Sequence, residues 1–343
     1  MKLATIAGYW GAGPPADAGE LFDAADRLRL DQIWTAEAWG SDAWTPLAWF
    51  GSRTSHVHLG TGVSQLSARP PATLAMTAMT MDHLTQGRII IGIGTSNPQV
   101  VEGWYGQPYP RPLERTREYI DILRAVIARK EPVTYQGKHY QLPYPGGTGL
   151  GKPLRAILHP YRSEIPVHLG AEGPKNVALA AEIADGWNTI FFSPAMNGFY
   201  AAALAEGFAR PGARHTSESF DVVGGPMRII VDDDLERAAD LLRPSLALYI
   251  GGMGARGLNY HHEVFARMGY EEAASRIQDH YLAGDKKAAV AAVPTALVED
   301  VALIGPWAKI ADEVQRWLET VLTTFVISTD LHHLSRVADL VRG

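Results

Sequence analysis

Four short stretches carry residue types that could do chemistry. In "HLGAEGPKN", His168 to Asn176, an apolar run passes into a helical one through Gly170, Gly173 and Pro174. A glycine-bearing turn of this kind lets backbone N–H groups point at an anion, and the next helix adds the partial positive charge of its N-terminus. Gly170, Ala171, Glu172, Gly173 and Pro174 are therefore candidates for a phosphate cradle, with Lys175 adding a full charge. A plain strand-to-helix turn with glycine at positive φ would use the same residues. In "LGTGVSQ", Gly60 and Gly62 mark either a bulge where a flat ligand nears the backbone or a packing point that needs small residues. In "WTAEAWGSD", Glu37 stands among Trp34, Trp39 and Trp44. That carboxylate could accept hydrogen bonds from a heterocycle, act as a base if burial raised its pKa, or sit solvated in a loop. In "GIGTSN", Thr95 and Ser96 bring hydroxyls to the end of an apolar run, for a ligand or to cap a following turn.

Other patterns exclude chemistries. "HHEVFAR" begins like a zinc-protease signature, but Arg267 stands where the second His is needed. His261 and His262 are adjacent, so a helix would point them about 100° apart. His56 and His58 fall near the start of a strand, and His332 and His333 read as a solvated opening to the last helix. There is no GxSxG elbow and no P-loop, and "GIGTSN" has too few glycines for a dinucleotide fingerprint. The 343 residues include no Cys, which rules out disulfides, thiolate catalysis and zinc-thiolate sites. A net charge of −6 argues against a nucleic-acid partner. No apolar run is long enough to span a bilayer. "MKLATIAGYWGAGPP" lacks a signal-peptide layout, which predicts a cytoplasmic protein.

The elements that must position these residues alternate along the chain. Strand-like runs are "KLATIAGYW", "QIWTAEAW", "VHLGTGVSQ", "RIIIGIGTS", "IPVHLG", "GWNTIFF", "DVVGGPMRIIV" and "LTTFVIST". Helix-like runs follow them, beginning with "DAGELFDAADRLRLD", which Asp17 can cap, and "PPATLAMTAMTMDHL", with Pro71 in its first turn. A long helix is predicted over 112–129, and "DLERAADLLRPSLALYI" reads as one helix after the seventh strand. Gly251 to Tyr260 is irregular, with a helical stretch to about Ala292. Eight strand–helix units predict an α/β fold, a closed (β/α)8 TIM barrel formed by one domain over 1–343, with insertions at about 130–165 and 245–295. A doubly wound open sheet is the structural rival. In such a barrel the site lies where the strands end. That selects residues 8–10, 36–39, 62–65, 94–97, 170–174, 191–193, the stretch after Val231, and 328–330. Barrel phosphate sites more often follow strands seven and eight, whereas this candidate follows strand five.

Together, "WTAEAWG" at the second strand, "MDHLTQGRIIIGIGTS" through the fourth and "LGAEGPKNVALAAEIADGW" after the excursion resemble the luciferase-like monooxygenase superfamily. The resemblance covers nearly the whole chain. Its specific parts are Asp82, Leu84, Gly87 and Arg88 followed by Gly92 and Gly94, and "AEGPKNVALAAEIADGW". "GYWGA", "AEAWGSDAWTPLAWFGS" and "VVEGWYGQP" are similar to its actinobacterial branch that depends on coenzyme F420. The resemblance implies a bacterial-luciferase-like barrel, an oxidoreductase acting on a small molecule, and a homodimer. It implies that Gly170, Ala171, Glu172 and Gly173 offer N–H groups to the cofactor phosphate, and that Thr95 and Ser96 lie near the same part of it. Gly62 and Val63, with Ser64 beside them, match a strand-three bulge whose non-proline cis peptide backs the ring. Glu37 matches an acidic position on the ring system.

Two departures limit the carry-over. Related glucose-6-phosphate dehydrogenases have His where this chain has Ala38 and Glu where it has Asn97, so sugar-phosphate chemistry is not expected. No acid or base is identified; Glu37, Glu102, His159 and Tyr249 are the candidates. The expected chemistry is hydride transfer between the 5-deazaflavin of F420 and a small organic substrate. The substrate pocket would be roofed by Trp10, Trp39, Trp104 and the 251–260 loop, and Arg69, Arg111, Arg115 and Lys175 would meet the anionic tail. The rivals are an FMN-dependent monooxygenase of the same superfamily and a non-catalytic flavin- or deazaflavin-binding protein.

Overall fold

The computed structural model describes residues 1–343. Along the chain run β1 (Lys2–Gly8), α1 (Ala18–Arg27), β2 (Gln32–Thr35), α2 (Trp44–Gly51), β3 (His58–Thr61), β4 (Ser64–Gln65), α3 (Pro71–Leu84), β5 (Ile89–Gly94), α4 (Pro98–Gly103) and α5 (Pro112–Ala128). The excursion holds the hairpin β6 (Tyr135–Gln136) and β7 (Gln141–Leu142). Then follow β8 (Val167–Gly170), α6 (Pro174–Ile183), β9 (Gly186–Asn188), α7 (Asn197–Phe208), β10 (Asp221–Gly224) and β11 (Ile229–Val231). Helices α8 (Leu235–Asp240), α9 (Arg243–Ala247), α10 (Tyr260–Phe265), α11 (Glu271–Leu282), α12 (Lys286–Ala291) and α13 (Thr295–Val301) lead to β12 (Leu303–Gly305). The chain closes with α14 (Trp307–Leu318), β13 (Thr324–Ile327) and α15 (Leu331–Arg342).

Strand order in the main sheet is β3-β2-β1-β13-β10-β9-β8-β5-β4, and β3 also pairs with β5. Eight strands therefore form a closed ring of hydrogen-bonded neighbours, the (β/α)8 barrel, with β4 resuming on β5 beyond the end of β3. The open-sheet alternative is thereby set aside. The chain divides into two compact units, residues 7–169 and residues 1–6 with 170–343.

In unit 7–169, β5 is buried along all six residues, as its unbroken Ile/Gly run requires. Pro71 opens α3 at a position where its missing N–H costs nothing. Asp17 stands at the start of α1, yet its side chain makes no capping bond there, contrary to expectation. The acid that organises this corner is Asp26, which accepts from Ser55 N, Ser55 Oγ, His56 N and Val57 N. Asp82 is fully buried and gripped by Arg162, whose Nε lies 3.0 Å from Oδ2. Arg88 donates to Thr54 and to the carbonyls of Thr85 and Val57. Asp82 and Arg88, singled out in the sequence, thus act as a structural clamp.

In the other unit, "DVVGGPMRIIV" is two strands rather than one. β10 joins the barrel, while β11 pairs only with β12 in a separate two-stranded sheet. The break falls at Gly224–Gly225, where a Cβ on Gly225 would lie 2.6 Å from the Val326 carbonyl oxygen. The mouth of the seventh barrel strand therefore follows Gly224, not Val231. The single helix expected over 234–250 is α8, α9 and a π-helical turn over Leu248–Gly252; the first break falls at Leu241–Leu242, and Pro244 sits in the first turn of α9, where a missing N–H costs least. Elements α13, β12 and α14 were absent from the sequence reading. Around them Leu246, Ile250, Phe265, Ile277, Leu297 and Ile304 pack as one apolar cluster.

Candidate active site

The bulge after β3 is built from small residues and cross-bonds. The Gly62–Val63 peptide is cis, as the resemblance implied. Gly62 N donates to the Thr35 carbonyl, and Thr61 Oγ1 exchanges bonds of 2.7 and 2.9 Å with Gly92 O and N. Ser64 is buried and its Oγ accepts from Trp44 Nε1 at 2.6 Å. Two of the glycines answer to packing. The Trp34 ring fills the space a Cβ on Gly60 would take, and a Cβ on Gly94 would lie 2.6 Å from Val63 Cγ2. Gly62 and Val63 themselves are only half-buried, so this stretch of backbone keeps an accessible face.

Glu37 reaches the same bulge. It is 9% exposed, and both carboxylate oxygens are occupied by protein donors. Oε1 accepts from Gln65 N at 2.6 Å and Oε2 from Ala43 N at 3.2 Å, while Arg69 Nη1 lies 2.9 and 3.0 Å from the two oxygens. Arg69, expected to meet an anionic tail, is committed here. Arg115 likewise donates to Tyr140 and Ser67, and Arg111 pairs with Glu114 at the surface. Asp42 Oδ1 accepts from Trp44 N and Thr45 N and caps α2. Burial pushes its pKa up, but the bonds from Thr45 and Trp44 and the Arg69 charge outweigh that and hold it below the ordinary value.

Sequence reasoning passed over Gln65. It is 6% exposed, its Nε2 makes a long 3.4 Å bond to the Glu37 carbonyl, and its Oε1 has no partner. An orphaned buried acceptor costs roughly 1–3 kcal/mol unless something fills it. Nearby, Ser96 adopts a left-handed backbone with φ 58°, its carbonyl accepting from Tyr109 Oη at 2.8 Å. Thr95 is half-buried and borders a small recess with Leu66, Tyr109 and Arg115. Asn97, not Thr95 or Ser96, caps α4, accepting from Val100 N at 3.0 Å. Of the aromatic residues expected over a pocket in this unit, Trp39 and Trp104 are exposed.

In the other unit, residues 171–173 join β8 to α6. Gly173 has φ −80°, and neither Gly170 nor Gly173 adopts positive φ, so a plain glycine turn does not explain them. A Cβ on Gly173 would meet nothing within 4 Å. Neither conformation nor packing demands glycine there, which leaves an open backbone face. The N–H groups of Ala171, Glu172 and Gly173 donate to no protein acceptor. Pro174 occupies the first position of α6, and Lys175 is exposed beside it. Three free amides at a helix N-terminus are donors of the kind that anions take.

Two residues of the second insertion hold Glu172. His261 Nδ1 lies 2.7 Å from Glu172 Oε1, and Arg267 Nη2 donates to the Glu172 carbonyl at 3.4 Å. Tyr249 and Phe191 pack edge-on against the His261 ring. Burial and the Glu172 charge push the Tyr200 phenol up to about 12, opposed by the charge of the Arg267 guanidinium. Elsewhere, Asp330, His332 and His333 bring ligand atoms within 4.8 Å of one another. Arg228 already pairs with Asp330 at 2.6 Å, and the positive end of α15 adds to its charge, so both oppose a cation there.

The chain and its fold have counterparts among known proteins. The family model for luciferase-like monooxygenases matches residues 3–324. A Mycobacterium tuberculosis (strain H37Rv) protein, named as a candidate coenzyme F420-dependent oxidoreductase, is 52% identical over 330 residues, 96% of this chain and 95% of that one. Among solved structures, the coenzyme F420-dependent tetrahydromethanopterin reductase of Methanopyrus kandleri superposes with a TM-score of 0.76 at 21% identity, covering 99% of this chain and 97% of that one. An F420-dependent secondary alcohol dehydrogenase in complex with an F420-acetone adduct gives 0.77 at 18% identity, covering 100% and 99%. The chain belongs to the luciferase-like monooxygenase family.

Proposed function

We propose that this protein is a coenzyme F420-dependent oxidoreductase that passes a hydride between the deazaflavin and a small organic substrate. The observation that carries the proposal is the run of unpaired amides at Ala171, Glu172 and Gly173 beside an open glycine face. Those groups fit a phosphate. The 52% identity to the mycobacterial relative, over nearly the whole of both chains, supports F420 as the molecule that carries it.

The residues present also fit a ring. Gly62 and Val63 would back it through their half-exposed stretch, with the buried Ser64 next in the chain supporting the bulge through Trp44, and with Thr95 and Ser96 contributing at the end of β5. Gln65 Oε1 is an acceptor awaiting an N–H donor, which the pyrimidinedione edge of a deazaflavin or flavin possesses. The terminal torsion of a Gln side chain is soft, and turning it gives up only the 3.4 Å bond to Glu37. When bound, the deazaflavin supplies a carbon that carries hydride. The protein's task is to fix that carbon and exclude competing reactions. With three donors making four contacts to its carboxylate, Glu37 acts in this reading as an organiser of the bulge and of Arg69 rather than as a base.

The proposal further assigns a small-molecule substrate and a cytoplasmic homodimer. The acidic net charge speaks against a nucleic-acid partner, and no helix is long and apolar enough to cross a membrane. Leu150, Leu154 and Ile157 are 85, 68 and 95% exposed on the first excursion, a face suited to a second copy. The test of function is anaerobic turnover. Reduced F420 is offered with aldehydes, ketones and enones, and oxidised F420 with alcohols, and the deazaflavin absorbance is followed. Turnover with F420 and none with FMN supports the reading. Oxygen consumption with reduced FMN would move the protein to the monooxygenase alternative, and tight binding without turnover to a carrier.

A further inference from the structure

The grip on Glu172 reaches beyond a bare helix N-terminus. His261 lies on α10 and Arg267 on the π-helical turn that follows it, Ala266–Tyr270. One takes the Glu172 carboxylate and the other the Glu172 carbonyl. Arg267 has no carboxylate partner. Its guanidinium lies 5.5 Å from the centre of the Phe199 ring and leaves a buried Nε with no acceptor. A half-buried cation held only by neutral groups keeps its full charge available to its surroundings.

That charge touches one peptide in particular. The Glu172 carbonyl and the Gly173 N–H belong to the same planar trans peptide and point in opposite directions. A cation on the carbonyl oxygen polarises the N–H on the far side and makes it a stronger donor. The carboxylate of Glu172, left alone, would repel an anion at the same corner, and His261 engages it. We infer that Arg267 is a positioning residue for the cofactor phosphate, acting through the 172–173 peptide, with His261 holding the one nearby negative charge. This rests on the F420 reading above and adds to it. His261 and Arg267 then tune how strongly the tail of the cofactor is held.

The test uses two deazaflavins and the full-length protein. One is F420. The other is the deazaflavin that ends at its ribityl chain and so lacks the phosphate and everything beyond it. Wild-type protein should bind F420 the more tightly. Arg267→Met should weaken F420 by about tenfold, the worth of one charge-assisted contact, and leave the tail-less compound within about twofold. Arg267→Lys, which keeps the charge, should recover part of the loss. If the Met variant fails to fold, Arg267→Gln, which keeps a donor but drops the charge, reads the same ratio. An unchanged ratio of the two affinities, or an equal loss for both ligands in a folded variant, would overturn the inference while leaving the cofactor reading intact. Binding of neither compound by the wild type would overturn both.

Discussion

Glu37 and Glu172 stand at matching places, each two residues beyond the end of a barrel strand, β2 and β8. They are used in opposite ways. At Glu37 the side chain does the organising: its oxygens gather Gln65 N, Ala43 N and Arg69, and the corner is satisfied from within. At Glu172 the side chain is set aside against His261, and the backbone is left with donors to spare. The first corner is scaffold that presents a bulge, and the second keeps the free donors on which the proposed anion site rests. Two identical residues at equivalent barrel positions thus differ in which of their groups the fold consumes, the side chain at Glu37 and none of the backbone donors at Glu172.

The largest expected effect breaks the first corner. Glu37→Ala leaves two buried amides without their acceptor and the partly buried Arg69 guanidinium with only Asp42, 3.7 Å away, and should cost about 3 kcal/mol in chemical denaturation. Glu172→Ala should cost less than half as much, and equal losses would erase the contrast. Next, Gly173→Ala should leave the melting temperature unchanged, because its Cβ meets no atom, yet weaken F420 by about tenfold or more by covering the open face. Unaltered F420 affinity would show that these amides do not hold the tail. Gln65→Met sharpens the comparison from the other side. Removing an orphaned acceptor should raise the stability of the free protein by about 1 kcal/mol and weaken F420 and the tail-less deazaflavin alike, several-fold. A residue with a purely structural role would not raise stability while lowering affinity.

The smallest effect is acid dependence at the Glu37 corner. The Asp42 carboxyl is held below its ordinary value, so its contribution is fully present above the unfolded pKa and is lost as pH falls through the folded one. Below about pH 4 the wild type should therefore lose stability more steeply than Asp42→Asn, which keeps a capping oxygen but cannot titrate. Parallel acid limbs for the two proteins would show that Asp42 adds nothing there.

Much of this was legible in the sequence because period and punctuation agreed. The Ile/Gly run of β5, the proline-started α3 and α6, and the glycines around residue 62 each signal their structure locally. The seventh strand misled because "DVVGGPMRIIV" is apolar throughout. Only the close approach of Gly225 to Val326, a hundred residues away, shows that it must break. α14 was available to periodicity, since Ile310, Val314 and Trp317 are buried at i, i+4 and i+7. It was lost beside β12, which is three residues long. The site divides along the same line. The corner at 170–174 and the bulge at 62–63 are backbone features with glycine signatures. Gln65 and Arg267 matter through the partners they lack, and the commitment of Arg69 to Glu37 depends on contacts 32 residues apart.

The central claim is met most directly by one equilibrium titration, the purified protein with F420 and with FMN under the same conditions. F420 bound at least about tenfold more tightly is the expected result. FMN bound as tightly or more so, or neither cofactor bound, would contradict it.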